Sequence, residues 1–452
     1  MRADRDAHPA TLRGGGVPRQ DFSMKKIKTS DSLTLGFALF AMFFGAGNLI
    51  FPPYLGFMSG GNWFIGFICF IAADAGLSLL ALFTIAWIGD GVEGITEVLG
   101  SKMSKLFLAL SCLSIGPFIA IPRTGAITYE IGVAPLLDGA NSVIVTGIFF
   151  LVCFIFAYRR AQVIDVIGKV LSPIMFIALI YLVTRGVMNP MGPKGDPDLL
   201  SHVIRNGVVS GYQTMDMMGS AVFSMAIVFE IINKGYKDPT SQFGIISSSG
   251  LICGLLLFIV YGGLAWLGAT ANGVYDPGLT QTELLTKLTG DVLGEPGLIV
   301  LAVIVACACM TTAVGLLTSV SSYFADLTKG KVSYEAFVVI FTLFSWGISN
   351  FGISTIISIA APILQVMYPV LIVLTVLRLF RSKIHDVYVY RWAAGITAAI
   401  SLMSTLSSLT GRSFGMERLP LADLGFEWFL PALIVTAAAL IVSNSGHGLH
   451  RH

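Results

Sequence analysis

What this chain can fold into is set by a succession of continuous apolar runs, at residues 33–57, 63–89, 106–134, 142–158, 164–184, 208–232, 242–270, 297–324, 334–350, 354–378, 390–409 and 427–443. A helix needs about 20 apolar residues to cross hydrocarbon, so the runs mark about twelve spans. Water is absent there and every backbone N–H and C=O must be paired within the chain, which leaves helices and closed barrels as the options. Strict apolar–polar alternation is missing, so the runs are helices rather than barrel strands. Of the 452 residues 55% are hydrophobic and 12% charged, with a mean hydropathy of +0.81, too apolar for a soluble domain. An all-α polytopic membrane protein is predicted.

Basic residues orient the spans. With both termini cytoplasmic, 21 of the 28 Lys and Arg fall on the inside and six on the outside, with Arg123 inside a span; an inner excess of this kind is the usual topology signal. The net charge of +2 reflects that asymmetry and marks no surface for nucleic acid. Residues 1–28 read as a disordered cytoplasmic extension, polar and without the apolar core of a signal peptide, although Met24 opens "MKKIKTSDS", itself a natural start. Residues 29–443 make the transmembrane domain and 444–452 a cytoplasmic tail. All six cysteines lie within spans and read as small buried residues rather than disulfides or metal ligands.

The first span contains "GAGNLIFPPYLG" at residues 45–56. Pro52 and Pro53 cannot donate to the carbonyls of Asn48 and Leu49, and Gly45 and Gly47 permit an unwound turn. The carbonyls around Phe44 to Leu49 are therefore predicted to be released from the helix, which is tolerated at membrane depth only beside protein or a watery cavity. Transporters built from inverted repeats place a second such break at the matching position of the other half. The sixth span offers one in "GYQTMDMMGSAVFSMAIVFE", where Gly219 and Ser220 follow Asp216. Spans 1–5 and 6–10 would then be the repeats, with spans 11 and 12 as additions.

Ionisable residues inside spans are costly and point to function, with structural pairing as the alternative. Asp74 lies near the middle of the second span, Asp216 in the outer half of the sixth, and Arg123 past the centre of the third, with Glu130 two turns further on. An Arg123–Asp216 ion pair could gate the outer vestibule; otherwise Arg123 pairs with Glu130 or with free carbonyls and holds the third helix. Asp74 would serve ion or proton coupling, or hydrogen-bond the unwound first helix. The eighth span carries hydroxyls at Thr311, Thr312, Thr318, Ser319, Ser321 and Ser322. They are oxygen ligands of the kind that sodium prefers, or the common polar glue between membrane helices.

"LTLGFALFAMFFGAGNLIFPPYLG", with "GYQTMDMMGS" and "WGISNFGISTIIS", resembles the bacterial branched-chain amino acid carriers, cation symporters of the amino acid, polyamine and organocation superfamily. The resemblance covers about Met24 to Ser443. It implies the five-plus-five inverted repeat of the sodium-coupled leucine transporter, with broken helices 1 and 6. It further implies a sodium site made of the carbonyls of Ala41, Phe44 and Ala308 and the hydroxyls of Thr311 and Thr312, with Asn48 falling on a residue that holds a second sodium. Given the two breaks, a zwitterion would have its carboxylate met by backbone donors at Ala46 and Gly47 and its ammonium by carbonyls near Phe43, Met217 and Met218. Met217, Met218 and Phe223 would line a dry side-chain pocket beside Gly219 and Ser220.

The function so implied is import of leucine, isoleucine and valine across the bacterial inner membrane by alternating access, coupled to Na+ or H+, without a cofactor. Lipid is the only other partner indicated. An enzyme is disfavoured because no span carries paired metal ligands or a nucleophile with its base. A channel or nutrient sensor on the same scaffold is the alternative, although channels usually show repeated pore loops or rings of charge.

Overall fold

A computed structural model describes residues 27–88, 93–158, 172–196, 198–412 and 414–448; residues 1–26 of the expected N-terminal extension and 449–452 of the expected tail lie outside them. The described residues form helices joined by turns and loops, without a strand. In chain order the helices are α1 (Thr29–Phe43), α2 (Ala46–Ser59), α3 (Trp63–Ile71), α4 (Leu77–Ile88), α5 (Glu93–Thr96), α6 (Ser101–Leu113), α7 (Ala120–Ile127), α8 (Ser142–Tyr158) and α9 (Ser172–Met188). They continue with α10 (Leu200–Thr214), α11 (Asp216–Asn233), α12 (Pro239–Ala271), α13 (Gln281–Leu293), α14 (Glu295–Leu327), α15 (Tyr334–Ser349), α16 (Ile353–Leu379), α17 (Val387–Thr410) and α18 (Phe429–Gly448). Among the described residues six helical stretches are long and apolar enough to cross a membrane, and five shorter apolar helices accompany them. The first of the six, Ala46–Ile88, turns at Gly60, where φ is +51°.

Local chemistry sets where helices begin. Asp238 accepts from Ser241 N–H at 2.7 Å with Pro239 at the first position of α12, and Ser333 and Asp386 cap α15 and α17 in the same way. Thr280 and Glu283 form a reciprocal capping box at α13. The N–H and hydroxyl of Thr280 hold the Glu283 carboxylate below its usual range. Side-chain oxygens satisfy the orphan donors of a first turn in this way.

The closest packing joins α2 to α12 through small residues. A Cβ on Gly56 would stand 1.8 Å from the Ala265 carbonyl oxygen, and a Cβ on Gly268 would stand 1.8 Å from that of Pro53. Backbones approach this closely in membranes where glycine removes the side chain between them. At one end of the bundle Tyr236 donates to Asp31 at 2.7 Å and Arg378 pairs with Glu97 at 2.8 Å, tying α1 to the segment after α11 and α16 to the segment before α6. At the other, Gly61 N–H donates to Gly195 O and Asn62 to Asp198 O, while Glu130 accepts from Ile353 N–H at the start of α16.

Both half-helix breaks occur, the first within the glycine stretch that the sequence pattern marks and the second displaced from it. The first falls at Phe44 and Gly45, and Pro52 and Pro53 lie inside an intact α2. The carbonyls freed at the break are therefore those at the end of α1; those of Asn48 and Leu49 also lack a donor, because Pro52 and Pro53 have none, but stay within the helix. Membrane helices tolerate proline where neighbouring helices compensate for the missing donor, and α12 packs along this stretch. The second break is at Met215, in the left-handed region at φ +66°, so that Gly219 and Ser220 belong to the continuous helix α11.

Candidate transport site

The two breaks face each other across a narrow cavity of about 30 Å³, room for water rather than for an amino acid. Phe43, Gly45, Ala46 and Asn48 line it from the first break, Thr214, Met215, Asp216, Gly219 and Phe223 from the second, Ala120, Arg123 and Thr124 from α7, and Thr312 and Leu316 from α14. The rings of Phe43 and Phe223 meet edge to face at 5.5 Å between centroids.

Helix ends leave backbone groups without partners, and both kinds are present here. The last turn of α1 closes with Phe44 N–H donating to Phe40 O at 2.7 Å. Among the described residues no backbone donor follows to take the carbonyls of Ala41 to Phe44. At the start of α2, Gly45 offers no side-chain cap, so the N–H groups of the first turn point free. Thr312 faces this break: its Oγ1 is buried without a hydrogen-bond partner, 3.1 Å from where a Cβ on Gly45 would stand. Thr311 donates to Ala308 O at 2.9 Å, which leaves the lone pairs of its own hydroxyl oxygen as acceptors.

A buried polar cluster ties the breaks together. The Asn48 amide nitrogen donates to Asp216 Oδ2 at 2.7 Å and to the Tyr261 hydroxyl at 2.6 Å. Thr214 donates to Asp74 Oδ1 at 2.8 Å, and the carboxyl group of Asp74 lies within hydrogen-bonding reach of that of Asp216. Asp74 occupies a π-helical turn, Ala72–Gly76, and reaches both Thr214 and Asp216 at the sixth-span break and Asn48 of the first span; π turns often mark functional positions. Arg123 Nη1 donates to Gln213 O at 2.6 Å and Nη2 to Thr214 O at 3.4 Å. The Arg123–Asp216 ion pair is thus not formed, and the released carbonyls of α10 take the guanidinium, as the structural alternative had it.

Three expected substrate contacts point elsewhere. Met217 and Met218 line a separate cavity with Ala81, Phe107 and Leu371. Ser220 donates to Ser78 O and Asp216 O, both at 2.9 Å, and so faces α4 and its own helix. The shift follows from the break: starting α11 at Asp216 turns positions 216, 219 and 223 toward the cavity, a spacing of three and four that puts 217, 218 and 220 on other faces. Met215, Thr124 and Tyr261 were missed. Thr124 is signalled by its i, i+4 spacing from Ala120, while Tyr261 lies in a run that reads as featureless.

A bundle in which two interrupted helices meet at one cavity, with released carbonyls and uncapped N–H groups side by side at the first break, has the architecture of a membrane transporter. Its backbone matches that of a solved nucleobase-cation-symport-1 family transporter, Mhp1, with a TM-score of 0.59 and 15% identity over 90% of this chain and 93% of that one. It also matches a Na+-coupled sialic acid symporter with a TM-score of 0.54 and 15% identity over 91% and 90% of the two chains. The fold is that of the leucine transporter, a five-plus-five inverted repeat.

The chain belongs to the branched-chain amino acid transport protein family, whose model matches residues 28–445. One relative, the branched-chain amino acid permease BraB of Bacillus subtilis (strain 168), is 34% identical over 432 residues, covering 90% of this chain and 94% of that protein.

Proposed function

We propose that the protein is a secondary active symporter that imports leucine, isoleucine and valine by alternating access, with both termini on the cytoplasmic side of the bacterial inner membrane. One observation carries this: two half-helix breaks open onto one cavity that holds free N–H groups, free carbonyls and an aromatic pair. A zwitterion needs an anion-binding helix start for its carboxylate and acceptors for its ammonium, and its branched side chain fits against Phe43 and Phe223. Because the cavity is smaller than the cargo, admitting leucine separates those two rings, and the same movement opens the site to one side. The Bacillus subtilis relative, a branched-chain amino acid permease by name, supports the substrate class.

Sodium is the coupling ion that the oxygens favour. Thr312 Oγ1, Thr311 and the carbonyls of Ala41, Phe44 and Ala308 are neutral oxygen donors from α1 and α14, which pack against each other. The buried hydroxyl of Thr312 costs about 1–3 kcal/mol if left unpaired, and a cation beside it removes that cost.

Leucine uptake into proteoliposomes, with sodium and proton gradients imposed separately, tests the assignment. Sodium gradients should drive uptake, and Thr312→Ala should raise the half-saturating sodium concentration on the order of tenfold or more, the loss of one good ligand contact. Unaltered sodium dependence in the variant, or uptake driven by protons alone, rules the site out. Vesicles preloaded with unlabelled leucine should show a transient overshoot of labelled leucine; a channel or a sensor shows none.

A further inference from the structure

Arg123 carries a full charge in the interior, 3% exposed, and no carboxylate lies within ion-pair distance of it among the described residues. Its two Nη groups reach Gln213 O and Thr214 O, the second only at 3.4 Å, and its buried Nε has no partner. It lines the central cavity. A Cβ on Gly47 would stand 2.7 Å from its Nη2 and 3.0 Å from its Cζ, so the guanidinium lies directly on the first turn of α2.

That placement sets like charge against like. The start of a helix carries roughly half a positive charge, and α2 begins without a side-chain cap. A second uncapped helix start, that of α11, opens on the same cavity; its own Asp216 is engaged by Asn48. Asp216 lines the same cavity but beyond ion-pair distance of the guanidinium, so two positive helix ends and a guanidinium with a spare donor still favour an anion that enters beside them. The neighbouring aromatic pair is apolar, so the anion belongs to a molecule with an apolar remainder.

We propose that Arg123 anchors the α-carboxylate of the transported amino acid, its guanidinium acting together with the N–H groups of Ala46 and Gly47. The assignment rests on the reading of this cavity as the amino acid site. Glycine at 47 then has a specific reason: a methyl group there occupies the position that the guanidinium takes. Arginine is suited to the task because its planar fork meets both oxygens of a carboxylate.

The test is inhibition of labelled leucine uptake by unlabelled leucine and by leucinamide, which lacks the negative charge, in proteoliposomes of wild type, Arg123→Gln, Arg123→Lys and Gly47→Ala. In Arg123→Gln the half-saturating leucine concentration should rise on the order of 10–100-fold, the loss of a charge-assisted hydrogen bond. The preference for leucine over leucinamide should collapse with it. Arg123→Lys should recover part of that preference, and Gly47→Ala, which pushes on Nη2 without removing the charge, should weaken leucine more than leucinamide. Variants that transport more slowly yet keep the wild-type preference overturn the proposal, and where Arg123→Gln does not fold, an unchanged preference in Gly47→Ala overturns it alone. Wild-type vesicles without leucine uptake or counterflow overturn the transport reading itself, and the anchor with it.

Discussion

Gly268→Ala and Gly56→Ala are each expected to deplete the folded protein, although each adds one methyl group. Overpacking a membrane or soluble core ordinarily costs about 1–3 kcal/mol because side chains can turn aside. Here the new atom meets backbone oxygen at 1.8 Å, at Pro53 for position 268 and at Ala265 for position 56. A carbonyl cannot rotate away without leaving its helix, so α2 and α12 must separate along their length. The cost is then at or above the upper end of that range. Gly347→Ala and Gly395→Ala are the controls: a Cβ at either meets nothing within 4 Å, and both should behave as wild type. Thermal melting and size-exclusion profiles in detergent read the difference, and a wild-type melting temperature for Gly268→Ala refutes the close approach. The consequence is functional too, because α2 carries the N–H groups of Ala46 and Gly47 on the lip of the cavity.

How far the residues foretell this arrangement depends on whether a feature is local. The first break is legible because it is written in residue types with restricted or permissive backbones: the glycine stretch marks its place, although α2 runs on through the proline pair beyond it. A proline removes one donor, and whether that breaks a helix depends on what packs beside it. The second break rests on Met215 at φ +66°, a conformation uncommon for a non-glycine residue and signalled by nothing around it. It persists because Arg123, some ninety positions earlier in the chain, takes the carbonyls of Gln213 and Thr214. The glycine at 219, read as the weak point, proves to be a residue of the cavity wall. Asp74, Arg123 and Asp216 stand out in the sequence because charges in spans are rare. Their partners do not, since pairing between helices far apart in the chain is a property of the packed bundle.

Asn48 supplies the sharpest test of that packing, because the chemistry of its bond to Asp216 is directional. Its amide nitrogen donates both to Asp216 Oδ2 at 2.7 Å and to the Tyr261 hydroxyl at 2.6 Å, so the residue is held as a clasp between α2, α11 and α12, with only its carbonyl oxygen left for an ion. Asn48→Asp replaces that donor with a second acceptor facing a buried carboxyl group, and is expected to destabilise by about 2–4 kcal/mol, the range for stranding a buried charged partner. Asp216→Asn alone should be far milder, since the new amide still presents an oxygen to Asn48. Combining the two restores one donor and one acceptor with their directions exchanged: Asn at 216 donates to Asp at 48, and the Tyr261 hydroxyl turns from acceptor to donor. The double variant should therefore be more stable than Asn48→Asp, with a coupling of about 2 kcal/mol between the positions, within the range for residues in direct contact. Melting curves of the four proteins measure it. Additive effects place Asn48 outside any clasp, and leave Arg123, which lies on the first turn of α2 and donates to Gln213 O and Thr214 O, as the group that joins the two broken helices.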